Sequence, residues 1–285
     1  MKTNIASLMK TNITSTSLRK VLAAALVLGG FGTAASRADI LYATLDNNRI
    51  EKITSAGSGS VFASTGLNSP RGLAFDSAGN LYAANAGNNT IEKFTPGGVG
   101  SVFASTGLNN NLGLAFDSAG NLYAANFNSN TIEKYTPGGV GSVFASTGLT
   151  NPIGLAFDSA GNLYAANNGN NTIEKYTPGG SASVFASTGL SAPYGLAFDS
   201  AGNLYAANQG DGGPGSNTIE KFTPGGIGSV FASSGLFSPE FLAFTDEAGV
   251  PLPLANQVPE PSTWAMLAAG AGSVLGFRRR PRKSE

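Results

Sequence analysis

The chain contains no cysteine and no histidine. Without thiols it forms neither disulfides nor thiolate metal centres, so packing and strand pairing must hold it together. Without imidazole it also lacks the commonest general base and the commonest zinc ligand. Charge is scarce, at 12% of residues, and long apolar runs are confined to the two ends. The 17 basic and 17 acidic residues cancel, but ten of the basic ones lie before residue 38 or after residue 277. Between residues 39 and 257, seven basic residues face fifteen acidic ones, a balance of about −8. An acidic body without clustered Lys or Arg lacks the electrostatic footprint that a phosphate backbone requires, which argues against nucleic acid as a partner.

What the body has instead is repetition. The fourteen letters GLAFDSAGNLYAAN stand at 72–85 and return at 113–126, 154–167 and 195–208. The pair LY falls at 41, 81, 122, 163 and 204, and the VF of SVFAS at 61, 102, 143, 184 and 230. A period of 40 or 41, broken by one insertion, matches propeller blades better than ankyrin or leucine-rich repeats. A single asymmetric catalytic pocket needs different residues at different places, so verbatim copies point to architecture.

Each unit holds four short runs of strand formers, in the second unit 72–75, 81–84, 90–94 and 101–104. Between them stand DSAGN, NAGNN and TPGG, whose Gly, Asn, Asp and Pro supply turn geometry. Four antiparallel strands in a meander, repeated around an axis, predict an all-β propeller. Small residues such as Gly72 and Ala74 would let blades converge at the axis, with Leu73 and Phe75 filling the space between blades. The letters resemble the NHL-repeat family through Asp76, Gly79, Asn80, Tyr82, Asn85, Asn89, Ile91 and Lys93, which recur in the next three units. The likeness covers nearly all of 39–247 and departs in having Ala83 and Ala84 where bulkier residues are common.

LAF-type inner strands occur five times, at Leu73, Leu114, Leu155, Leu196 and Leu242, and LY strands occur five times beginning at Leu41. Five blades follow, with the segment 241–244 completing the blade begun by 40–43, so that N- and C-terminal strands pair and close the ring. A sixth blade is the alternative, since AGVPLPLAN at 248–256 echoes AGNLYAAN; Pro251 and Pro253 argue for a linker over 248–257 instead.

The ends read differently. A polar, basic start, an apolar stretch at 21–35 and the small-x-small pattern of Ser36 and Ala38 read as a secretory signal peptide over 1–38. At the other end Val258, Pro259, Glu260, Pro261 and Ser262 precede a short apolar segment, 264–277, and an arginine-rich tail. That order over 258–285 resembles the PEP-CTERM sorting signal. The resemblance implies processing by an exosortase-type membrane transpeptidase, transient anchoring through a short apolar helix, and display at the cell surface or in the extracellular matrix.

Where the units differ, they differ at one end of the ring. The residue before the inner-strand glycine is Arg71, Leu112, Ile153 or Tyr194, with Glu240 at the last copy. The residue after LYAAN is Ala86, Phe127, Asn168 or Gln209, and the insertion around Asp211 lies in the same loop. In an antiparallel meander the loop leading into the first strand and the loop joining the second to the third share one end, while DSAGN and TPGG share the other. Function on a rigid scaffold is carried by loops. The candidate ligand site therefore comprises Arg71, Tyr194, Glu240, Phe127, Gln209 and Asp211. Asp76 and its copies read as turn caps rather than metal ligands, and Glu92 and Lys93 as solvated or cross-strand charges.

These readings favour a non-enzymatic module for extracellular polysaccharide or an envelope protein, with no catalytic residue assigned. A calcium-dependent, gluconolactonase-type hydrolase is the alternative, with Glu240, Asn168 and Asp211 as oxygen ligands. A purely structural matrix protein is the third reading.

Overall fold

The computed structural model describes residues 21–25, 40–45, 47–54, 58–210, 216–236, 238–240 and 242. Among these residues twenty strands form five antiparallel sheets of four. The first blade comprises β1 (Val21–Ala25), β2 (Ile40–Leu45), β3 (Arg49–Thr54) and β4 (Gly59–Ala63). The second comprises β5 (Pro70–Phe75), β6 (Leu81–Asn85), β7 (Thr90–Phe94) and β8 (Gly100–Ala104). The third runs through β9 (Asn111–Phe116), β10 (Leu122–Asn126), β11 (Thr131–Tyr135) and β12 (Gly141–Ala145). The fourth holds β13 (Pro152–Phe157), β14 (Leu163–Asn167), β15 (Thr172–Tyr176) and β16 (Ala182–Ala186). The fifth holds β17 (Pro193–Phe198), β18 (Leu204–Asn208), β19 (Thr218–Phe222) and β20 (Gly228–Ala232). The inner strands β1, β5, β9, β13 and β17 stand side by side in that order, giving the expected five-bladed all-β ring.

Glycine sets how closely the inner strands approach. A Cβ on Gly72 would run into the Leu112 carbonyl oxygen of the next blade, and one on Gly113 into that of Ile153. Between blades the packing is aromatic and aliphatic. Tyr82 meets Phe103 of its own blade at 4.9 Å and Phe116 of the third blade at 5.0 Å, both edge to face. Leu114, Leu122, Ala84 and Tyr135 belong to that cluster, which three further interfaces repeat with equivalent residues. The small Ala83 and Ala84 are fully buried. They admit the aromatic rings instead of leaving voids, which would cost stability.

Two asparagines in each of the second to fifth units fasten the loops at the varied end, and the first unit has one of them, Asn48. Buried Asn85 donates through Nδ2 to the Gly66 carbonyl (2.8 Å) and the Thr90 hydroxyl (3.1 Å), and its Oδ1 accepts from the Asn68 N–H at 3.1 Å. Asn48, Asn89, Asn130, Asn171 and Asn217 have positive φ, and each accepts at Oδ1 the N–H of a residue 21 positions on. Asn217 thereby holds Ser238 as the equivalent asparagines hold 69, 110, 151 and 192.

At the opposite end Asp76 does what the turn reading requires. Its Oδ1 accepts from the Ala78 and Asn80 N–H groups, and its Oδ2 from Asn80 Nδ2 and the Tyr82 hydroxyl. Lys93 lies 3.7 Å from the same carboxylate and over the Tyr82 ring. At Asp199 burial pushes the carboxyl upward, but hydrogen bonds from Asn203, Tyr205 and Ala201 outweigh it and hold the group below its ordinary range.

Two expectations need revising. Glu92 is not solvated: it is 5% exposed, and Glu133, Glu174 and Glu220 are similar. Both faces of β7 are covered: Ile91 joins the cluster shared with the third blade, while the Glu92 carboxylate lies against Gly66 in the loop from the first blade. Desolvation raises the pKa of all four carboxyls. Secondly, the place beside β2 expected for 241–244 is taken by β1, from within the stretch read as a signal peptide. An apolar extended segment satisfies the β2 backbone whatever its position in the chain. Residues 241, 243 and 244, the linker 248–257, the sorting motif and the apolar segment 264–277 lie outside the described residues. Among the described residues no helix is long and apolar enough to cross a membrane.

Candidate functional site

The two variable loops meet. The N–H of Phe127, the first residue after LYAAN in its unit, donates to the Asn110 carbonyl in the loop leading into β9, at 3.2 Å. Asn168 pairs with Asn151 and Gln209 with Ala192 in the same way. This joins both sets of differing residues at one end of the ring.

A cavity of about 280 Å³ opens there, lined by residues from four blades. Arg71, Leu112, Ile153 and Tyr194 come from the inner strands; Asn110, Phe127, Asn168 and Gln209 come from the loops. The residue before the inner-strand glycine points into the mouth because that glycine brings the strands into contact just below it.

Arg71 of the second blade and Tyr194 of the fifth line the same mouth, close enough for the guanidinium to act on the phenol. Burial raises the Tyr194 phenol above its ordinary pKa, Glu240 adds to that rise, and Arg71 opposes it. Tyr194 is therefore a neutral hydroxyl at physiological pH. Gln209 donates through Nε2 to Glu240 Oε1 at 3.1 Å, which fixes the amide at the rim.

Of the six sequence candidates, Arg71, Phe127, Tyr194 and Gln209 line the cavity together. Glu240 stands behind Gln209 rather than in the lining. Asp211 lies outside the described residues. Asn110, Leu112, Ile153 and Asn168 also line the mouth. Asn110 was missed, although its position differs between units (Ser69, Asn110, Asn151, Ala192) and that variation was a readable signal.

Chemically the mouth offers one guanidinium, one phenol, three amides and an apolar wall. Among the described residues no three carboxylates come together in a way that would hold a metal ion. The four Lys–Asp pairs lie at the other end, with their charges mutually matched.

Residues 257–283 match the model of the PEP-CTERM protein-sorting motif. Such a motif directs a chain to export and to exosortase processing at the membrane. No curated protein sequence matches the chain. Among solved structures it is similar to a chain of a nidogen/laminin complex, at 24% identity and a TM-score of 0.64, over 74% of this chain and 86% of that one. It is also similar to virginiamycin B lyase from Staphylococcus aureus (18%, 0.62, 73% and 71%). A third similar structure is a gluconolactonase from Xanthomonas campestris (18%, 0.61, 74% and 77%). At these identities the likeness is one of fold. The chain is a five-bladed β-propeller that carries a PEP-CTERM protein-sorting motif at residues 257–283.

Proposed function

We propose that the chain is exported with removal of residues 1–38, cut near Val258 to Ser262, and displayed or released outside the inner membrane as a non-enzymatic binding module. The observation that carries the binding role is the convergence of the unit-to-unit differences on one cavity, above a scaffold that is otherwise repeated verbatim. Arg71 and Tyr194, from different blades, line that cavity together with Phe127 and Gln209. The partner is extracellular polysaccharide or an envelope protein. The test is retention of the producing bacterium's own soluble extracellular polysaccharide and envelope proteins on immobilised full-length chain. A variant with Arg71, Tyr194 and Glu240 changed to alanine should lose that retention; equal retention refutes the site.

The calcium-dependent hydrolase has less support, since the mouth presents amides and a guanidinium rather than grouped carboxylates. It predicts a large calcium-induced rise in melting temperature.

A structural role in a matrix has one specific observation in its favour. The outer strands expose Val61, Val102, Val143, Val184 and Val230 at 51–61%, along sheet edges that carry no charged residue. Such edges favour self-pairing. Concentration-dependent sedimentation that lysine at these five positions abolishes is its signature.

A further inference from the structure

We infer that the mouth recognises the end of an uncharged saccharide chain, an inference that rests on the reading of this cavity as the ligand site. Four observations narrow the ligand.

The first is shape. The cavity is an open mouth of about 280 Å³ lined from four blades, at the small end of the range for ligand pockets, which begins at about 300 Å³. It has room for about one or two six-membered rings, the size of the terminal unit of a chain. A terminal unit fills that volume.

Charge is the second. Arg71 is the one cation in the lining, and Glu240 stands close enough to act on the same Tyr194 phenol. Their charges oppose each other, and the lysines of the repeats are held by aspartates at the far end of the ring. A phosphate or polyanion would meet no net positive field.

The third is the division of the lining into two chemistries. Phe127, Leu112 and Ile153 give an apolar wall, while Asn168, Gln209 and Arg71 present planar groups with paired hydrogen-bonding atoms. A sugar ring has this same division, an apolar face of C–H groups and an edge of neighbouring hydroxyls. A hydrocarbon would leave the planar groups desolvated and unmatched, at a cost.

Finally, an extended peptide would need a sheet edge for main-chain pairing. The inner strands offer none, because they pack against one another across Gly72 and Gly113.

The test is saturation-transfer NMR and titration calorimetry on the full-length chain with four probes: cellobiose, maltose, glucuronic acid and a blocked neutral tetrapeptide. The expected result is transfer to ring C–H protons of at least one disaccharide, with affinity weakened about tenfold in Phe127→Ala and in Asn168→Ala. Thermal melts of both variants should stay within a few degrees of the parent, since each residue lies in a loop. Stronger binding of glucuronic acid than of either disaccharide, again lost in Phe127→Ala, overturns the neutral-saccharide inference and keeps the site. Binding of the tetrapeptide alone does the same. No Phe127-dependent signal from any probe also overturns the inference; the retention assay, which assumes no ligand class, then decides separately whether the site itself stands.

Discussion

Asn89 Oδ1 accepts the backbone N–H of Asn110 at 2.6 Å, and both residues hold positive φ, 57° and 51°. This contact ties the turn of the second blade to the loop that enters the third. Left-handed backbone costs a residue with a Cβ about 1–2 kcal/mol, and asparagine tolerates it best after glycine. Asn89→Ala should lose both the bond and that tolerance, about 2 kcal/mol in urea unfolding. Asn89→Gly loses the bond and keeps the turn, so it should cost less. Equal costs would show that the bond, not the turn, carries the effect.

Gly113→Ala places a methyl group against the Ile153 carbonyl oxygen. The obstacle is backbone, so relief requires two blades to separate. A loss of about 3 kcal/mol is expected. Gly138→Ala is the control, with only Thr136 nearby, at 3.9 Å, and it should be nearly neutral.

Glu133 predicts the sign of a pH effect. Its folded-state pKa is raised by desolvation. A carboxyl raised on folding contributes stability below its unfolded pKa, and that contribution is lost as pH rises through the folded value. Glu133→Gln should therefore raise the melting temperature at pH 7 by about 1–3 °C. Near pH 4 the gain should shrink towards zero. A destabilised variant at pH 7 would mean that the charged carboxylate has a compensating partner.

The repeat made most of the ring legible. Four runs per unit gave strands within a residue or two of their observed bounds, and the Asp76 turn was read correctly from its spacing. Burial of Glu92 was not legible, because alternation along TIEKF places it on the face opposite Ile91, and only the assembled ring, with Gly66 against that face, covers it. Nor was the place of β1, whose letters VLAAA suit a leader and an inner strand equally. The site was half legible. Differences between copies marked the positions, but nothing local says that Arg71 and Tyr194, 123 residues apart, line one mouth.

Removal of residues 1–38 takes β1 out of the first blade and leaves the inner edge of β2 without its partner. The chain held by Asn217 at Ser238 continues into a fifth LAF-type run. A chain beginning at residue 39 should therefore keep the amides of Ile40–Leu45 protected from hydrogen exchange, with protection lost when 241–244 are replaced by glycine and serine. Fast exchange in both would show that β1 alone completes that sheet.

The most direct test of the division between a working end and a scaffold end is a crossed pair of variants in the full-length chain. One carries Arg71→Ala and Tyr194→Ala at the mouth; the other carries Lys93→Ala and Lys134→Ala at the opposite end. Retention of extracellular polysaccharide and urea stability are measured on both. The account predicts that the mouth variant loses retention with stability within about 1 kcal/mol of the parent. The opposite variant should lose some stability and retain its ligand. Equal retention by the two variants would contradict the assignment of function to the varied end.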